Sequence, residues 1–238
     1  MNNSFGYAVS KARTVSRNEG LRSYMLGVYN YMTLALSLSG FVAFVAFKTG
    51  LTKVIAFSPL GIIVALAPIG ISIYMSSQLM TARLETIKTL FISYAATIGL
   101  SFSTIFLMFS GADIARAFFT TSATFGAMSI YGYTTKSDLS RFSSFITMAI
   151  FGLLIASLGN MFFKSSGMSM LISFVAVLLF TGLVAYDTQN IKQMYYNVSN
   201  NGDAATRVGI FGALKLYMDF ITIFIHLLQF FALSKNRD

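Results

Sequence analysis

The chain has 238 residues, of which 55% are hydrophobic and 11% charged, and a mean hydropathy of +0.70; that balance excludes an ordinary soluble globule and indicates a membrane protein. Lys and Arg (17) outnumber Asp and Glu (8), but the basic residues are scattered between apolar segments, so lipid headgroups are the expected partners and nucleic acid is not. With no cysteine in the chain, disulfides, thiol catalysis and thiolate metal sites are excluded.

Residues 1–23 form a basic segment in which Lys11, Arg13, Arg17 and Arg22 face only Glu19. It runs into apolar sequence with no short h-region or small-x-small cleavage site, so a retained first span is expected. Crossing about 30 Å of hydrocarbon takes roughly 20 apolar residues. Such stretches recur at 24–47, 54–75, 87–109, 113–134, 142–163, 168–190 and 209–233. The expected fold is all-α, a polytopic bundle of seven transmembrane helices forming one domain over 24–233, with a short tail at 234–238. A tight SGAD turn, Ser110 to Asp113, separates the third and fourth spans, and the longest polar connection, Lys192 to Arg207, separates the sixth and seventh.

Both prolines, Pro59 and Pro68, fall in the second span. Pro68 removes a backbone donor and predicts a kink there, which either shapes packing or serves as a hinge. Ser37, Ser39, Gly40, Gly126 and Ala127 are small enough to let helices approach closely. Counting Lys and Arg on alternate sides of seven spans gives 11 on the side of the N-terminus and 6 on the other. The positive-inside rule then puts the N-terminus in the cytoplasm and the C-terminus outside. If the last segment enters and returns, the count becomes 13 against 4, and the charge rule alone does not reject that six-span arrangement.

Two acids stand inside or at the edge of spans. Asp187 closes the sixth, after an uncharged run from Met168, and Asp219 lies about ten residues into the seventh. An intramembrane carboxylate costs about 2.5–3.5 kcal/mol on insertion scales and persists where it faces protein or water. At about 1.5 Å per residue both fall in the same half of the bilayer, so antiparallel neighbours bring them together. On the seventh span Lys215, Asp219, Thr222, His226 and Gln229 share one stripe, which makes Thr222, His226 and Gln229 candidate pore-lining residues beside a pair that binds ions and senses protons. Two adjacent carboxylates cannot both ionise cheaply and share a proton; deprotonated, they suit a hard cation such as Ca²⁺, which makes Asp187 and Asp219 the candidate metal-contacting residues. The residues alone leave a plainer alternative open, in which Asp219 pairs with Lys215 one turn away and Asp187 caps or anchors a helix end. Arg83, in MTARLE, is a further partner for the pair, a latch that closes the path by neutralising charge, or else a simple positive-inside anchor. His226 is the only histidine; zinc is disfavoured for want of a His, Cys or carboxylate ligand cluster, and a hydrogen-bonded interior His is its plain reading. No G-x-S-x-G supports an intramembrane protease.

The run LLFTGLVAYDTQNIK resembles a signature of the Bax-inhibitor family, the transmembrane Bax inhibitor motif proteins. LKLYMDFITIFIHLLQFF is similar to that family's C-terminal motif, and AFFTTSATFGAMSIYGYTTKSDLSRF to its fourth span and following loop. The resemblance covers roughly Arg22 to Leu233. It implies a seven-helix bundle with a central last helix and a pH-sensitive calcium leak governed by an aspartate pair, which maps onto Asp187 and Asp219. A family arginine that pairs with the aspartates in the closed form maps onto Arg83. The family's acidic residue in the second span has no counterpart in Val54 to Met75. VYNYMTLALSLSG, from Val28, resembles bacterial branches and implies a bacterial inner membrane, with the endoplasmic reticulum as the alternative.

The reading is therefore a Ca²⁺ leak channel or Ca²⁺/H⁺ exchanger, not an enzyme, with no cofactor and with Ca²⁺ and H⁺ as cargo. Low pH releases the latch and high pH holds it. The alternative is a non-transporting regulator that binds other membrane proteins, such as quality-control proteases.

Overall fold

Hydrocarbon offers no hydrogen-bond partner to a peptide group, so a chain of this composition must satisfy its backbone within helices or a closed barrel. In the computed structural model it does so with helices. Residues 2–79, 81–198 and 202–235 are described, with side chains from residue 18 onward, and no strand occurs among them. The helices are α1 (Asn2–Lys48), α2 (Leu51–Ala56), α3 (Leu60–Gln78), α4 (Leu84–Phe102), α5 (Ile105–Met108), α6 (Gly111–Thr134), α7 (Ser143–Phe163), α8 (Ser166–Val198) and α9 (Gly202–Lys235), with a 3₁₀ turn at Leu139–Phe142. Among the described residues six helical stretches are long and apolar enough to cross a membrane: Asn18–Lys48, Leu60–Gln78, Leu84–Met108, Leu139–Phe163, Ser166–Val198 and Gly202–Lys235. The expected fourth span is α6. It has 24 residues, enough for a crossing, but its Thr, Ser and Gly content keeps it out of that apolar set, and it packs in the bundle against α8 and α9.

Three boundaries differ from those expected of the sequence. The second span does not begin at residue 54: α2 ends at Ala56 and α3 starts at Leu60, after Pro59. Proline tolerates the start of a helix but disfavours helical geometry in the residue before it, here Ser58. The third span is interrupted after Phe102, where Ser103 Oγ donates to Leu100 O at 2.7 Å and Thr104 Oγ1 to Ser101 O at 2.9 Å, hydroxyls that compete with the helical ladder. The polar connection from Lys192 to Arg207 is mostly helix, since α8 runs on to Val198 and α9 begins at Gly202. Tertiary contacts stabilise these extensions: the Tyr195 ring lies 5.0 Å from that of Tyr24, and Arg207 Nη1 donates to Ala82 O at 2.7 Å. Because α9 is one unbroken helix of 34 residues, roughly 50 Å long, the segment does not turn back on itself as the six-span arrangement requires.

The last helix is the centre of the bundle. In its apolar window 67% of residues are buried, against 28% or less in each of the other five stretches, and it packs against α1, α4, α6 and α8. Where these helices close up, the residue at the crossing is glycine. A Cβ on Gly99 would sit 2.6 Å from Ser39 O, and one on Gly132 would collide with the backbone of Ala185. Beside the first crossing, Ser39 Oγ lies 2.7 Å from Ala35 O, 2.8 Å from Ala95 O and 2.6 Å from Tyr217 Oη, tying α1, α4 and α9 at one hydroxyl. Gly40 and Gly126, chosen from sequence as close-approach positions, are not crossings: a Cβ on either meets nothing within 4 Å.

Two substitutions separate these roles. Gly132→Leu must push α6 off α8 and lowers the unfolding free energy of the detergent-solubilised protein by about 1–3 kcal/mol, whereas Gly126→Leu leaves the thermal transition unchanged.

Candidate functional site

Helices α8 and α9 run antiparallel along one seam, marked by Asp187 beside Lys215, Ser173 beside Gln229 and Phe174 beside Phe230. Asp187 does not terminate its helix as the sequence suggested; eleven helical residues follow it. It is therefore held inside the seam, 6% exposed. Lys215 Nζ donates to Asp187 Oδ1 at 3.2 Å. The lysine thus reaches across to the neighbouring helix instead of folding back onto Asp219 one turn along its own. Asp219 is 3% exposed, and its Oδ2 has no hydrogen-bond partner. It lies within electrostatic reach of both Asp187 and Lys215, so the three form one charge cluster.

The motif around Asp187 divides its side chains among neighbours because successive helical residues point about 100° apart. Thr188 Oγ1 lies 3.2 Å from Ser129 Oγ of α6, which in turn lies 2.6 Å from Tyr29 Oη of α1. Gln189 fastens the loop before α7 from both ends of its amide: Oε1 accepts from Leu139 N–H and Nε2 donates to Ser137 O, each at 2.8 Å. Ile191 fills the space above Gly212 of α9, and Lys192 Nζ donates to Tyr133 O at 3.0 Å. Sequence reasoning missed Gln189 and Thr188, whose signal, uncharged polar residues beside a buried acid, is common to many helix ends.

The other residues singled out from sequence are more dispersed. Arg83 is exposed and occupies the cap position of α4 with extended backbone angles; no ion pair joins it to either aspartate in this structure. Thr222 Oγ1 donates to Met218 O of its own helix at 2.8 Å. Gln229 is exposed at the far end of the seam, where Ser173 Oγ donates to it at 3.4 Å. His226 is half-buried, and its Nδ1 has no partner. A cleft of about 480 Å³ between α3 and α9 is lined by Lys215 and Met218 on one side and by Ser72, Ser76 and Ser77 on the other, and not by Thr222, His226 or Gln229. It puts three hydroxyls within the surroundings of the lysine that holds Asp187. Among the described residues no group of three or more His, Cys, Asp or Glu side chains is placed to hold a metal ion.

A family profile described as "Inhibitor of apoptosis-promoting Bax1" matches residues 21–237. The chain belongs to the Bax inhibitor family. Similar proteins include an uncharacterized protein of Rickettsia prowazekii, 43% identical over 94% of this chain and 96% of its own length. Another, in Caulobacter vibrioides, is 36% identical over 94% of this chain and 93% of its own. The inner membrane protein YbhL of Escherichia coli is 39% identical over 91% of this chain and 94% of its own. In this Bax inhibitor family member the two aspartate-bearing motifs of the resemblance lie on the same seam, one contributing Asp187 and the other Lys215 and Asp219.

Removing the lysine leaves the buried Asp187 carboxylate without its counter-charge, the costly half of breaking such a pair. Lys215→Met alone is expected to cost about 3 kcal/mol in detergent unfolding, and combining it with Asp187→Asn to recover at least ~1 kcal/mol of that loss. Simple additivity of the two substitutions would show that the pair contributes nothing.

Proposed function

We propose that this chain is a pH-sensitive leak pathway for Ca²⁺, or a Ca²⁺/H⁺ exchanger, of a bacterial inner membrane, gated by Asp187 and Asp219. The observation that carries the reading is the unpartnered Oδ2 of a fully buried Asp219 beside an Asp187 already held by Lys215. A buried carboxylate oxygen without a donor calls for a proton or a cation. Two carboxylates in one cluster share protons as a unit, and ionised they attract a hard divalent ion. The inner-membrane assignment draws on the Escherichia coli relative, the inner membrane protein YbhL.

Lys215 acts as the tethered cation of the closed form. A proton delivered to Asp187 removes the charge that holds the ammonium group, and Lys215 can then turn toward Ser72, Ser76 and Ser77 in the adjoining cleft. Loss of that proton restores the ion pair and the block. Flux therefore rises as pH falls. With only two acidic ligands, the site passes Ca²⁺ rather than storing it. Arg83, the latch expected from sequence, is the alternative cation for this role.

A non-transporting regulator that binds other membrane proteins is the second reading. It draws on α7, none of whose residues is buried and whose outward face bears Phe145, Met148, Phe151 and Ile155.

Radiolabelled Ca²⁺ efflux from proteoliposomes, measured across pH, tests the proposal. The wild type should leak faster at low pH, and Asp187→Asn with Asp219→Asn should flatten the profile. Lys215→Met should raise flux at high pH about tenfold, a shift of ~1.4 kcal/mol in the closed-form preference. If Arg83→Gln does so instead, the latch is Arg83. An unchanged profile in the double aspartate variant sinks the gate, and flux no greater than from empty liposomes, together with crosslinks through α7, favours the regulator.

A further inference from the structure

The groove between α1 and α6 has a composition that neither the aspartate pair nor helix packing explains. It holds about 470 Å³ and is open to the surroundings of the bundle where Leu26 and Ile130 are exposed. Its long walls are apolar, formed by Met25, Leu26, Phe125, Gly126 and Ile130, whereas one end carries Arg22 and Tyr133. The floor is the hydrogen-bonded pair Tyr29–Ser129, so those hydroxyls are already satisfied and do not call for a polar ligand along the walls. Gly126 leaves a gap rather than a contact, since a Cβ there meets nothing within 4 Å.

Electrostatics assign the two ends. Among the described residues Arg22 is the one charged residue lining the groove, and it is exposed. Behind Tyr133 a second cation, Lys192 Nζ, lies 5.3 Å from the ring centroid and donates to the Tyr133 carbonyl, which offsets the negative C-terminal end of α6. The acid on the preceding turn of α1, Glu19, is also exposed. From Arg22 to Tyr29 the groove runs roughly 10 Å along α1, against roughly 15 Å for one leaflet of hydrocarbon.

We infer that this groove is a binding site for a single anionic phospholipid, with an acyl chain along Met25, Gly126 and Ile130 and the phosphate against Arg22. A molecule with one anionic head and an apolar tail matches the end-to-end division of the groove, whose roughly 10 Å of apolar wall seats the part of an acyl chain nearest the headgroup. Arg suits the headgroup because its guanidinium presents paired donors to phosphate oxygens. The floor of the groove is hydrogen-bonded through Ser129 to Thr188, the residue that follows Asp187 in α8. The site stands whether or not the chain conducts Ca²⁺.

The protein contains no tryptophan, which makes an introduced indole a clean reporter. Ile130→Trp, at a wall position 67% exposed, is reconstituted into vesicles in which brominated phosphatidylglycerol or brominated phosphatidylcholine replaces a fixed fraction of the lipid. Met148→Trp, on the exposed face of α7, reports ordinary lipid contact. At position 130 the anionic lipid should quench with about fivefold stronger apparent association than the zwitterionic one, about the effect of one basic residue near the membrane surface. At position 148 the two should match more closely. Arg22→Gln should bring the ratio at 130 down to that at 148, and Arg22→Lys should retain part of it. Gly126→Leu, which fills the gap without a clash, should weaken quenching at 130 by either lipid. Equal quenching by both lipids at 130, a preference that survives Arg22→Gln, or no quenching because a protein segment fills the groove would each overturn the assignment.

Discussion

A carboxylate surrounded by hydrocarbon has only the protein to hold it, and that constraint organises the α8–α9 seam. Asp187 is buried within a long helix, so its charge must be met from a neighbouring element, and the antiparallel register of α9 brings Lys215 to it. The same register buries Asp219 a turn away with one oxygen unmet. A surface ion pair is worth little because water competes for both partners. Here competition is largely removed from the acid, while Lys215 keeps about a quarter of its side chain accessible. The pair is thus buried at the carboxylate and partly open at the ammonium group.

Everything that keeps this register is built from close approach. Lipid tails are as apolar as leucine, so the helices gain little from apolar burial alone and depend on tight contact and internal hydrogen bonds. Gly132 lets α6 reach the backbone of α8, and Gly99 lets α4 reach α1. Ser39 then joins α1, α4 and α9 through Tyr217. Gln189 holds the loop into α7 while its neighbour Thr188 holds α6. One turn of α8 therefore both carries the acid and fastens the elements around it.

Composition made the membrane class, the helical fold and the approximate spans legible, since about 20 apolar residues in succession have few other uses. The two acids were legible for the complementary reason: a charge is conspicuous where almost none occurs. Helix ends were not. The Lys192–Arg207 stretch reads as a connection because it is polar, yet Tyr195 on Tyr24 and Arg207 on the Ala82 carbonyl carry both helices through it. Gly126 reads as a packing residue because it is small, but α1 stays too far off to touch a Cβ there and the position is a gap.

The amino-acid order by itself determined that the chain spans a membrane as helices and that Asp187 and Asp219 are its exceptional charges, because hydropathy and charge are properties of each residue wherever it lies. Only the tertiary structure decided that Lys215 reaches Asp187 across the seam while Arg83 stays exposed and Asp219 is left with a free oxygen. On one helix Lys215 and Asp219 are already neighbours in sequence spacing. Which acid the lysine meets depends on how far α8 slides along α9, and that distance is set by Gly212, Ile191 and the other contacts along the seam.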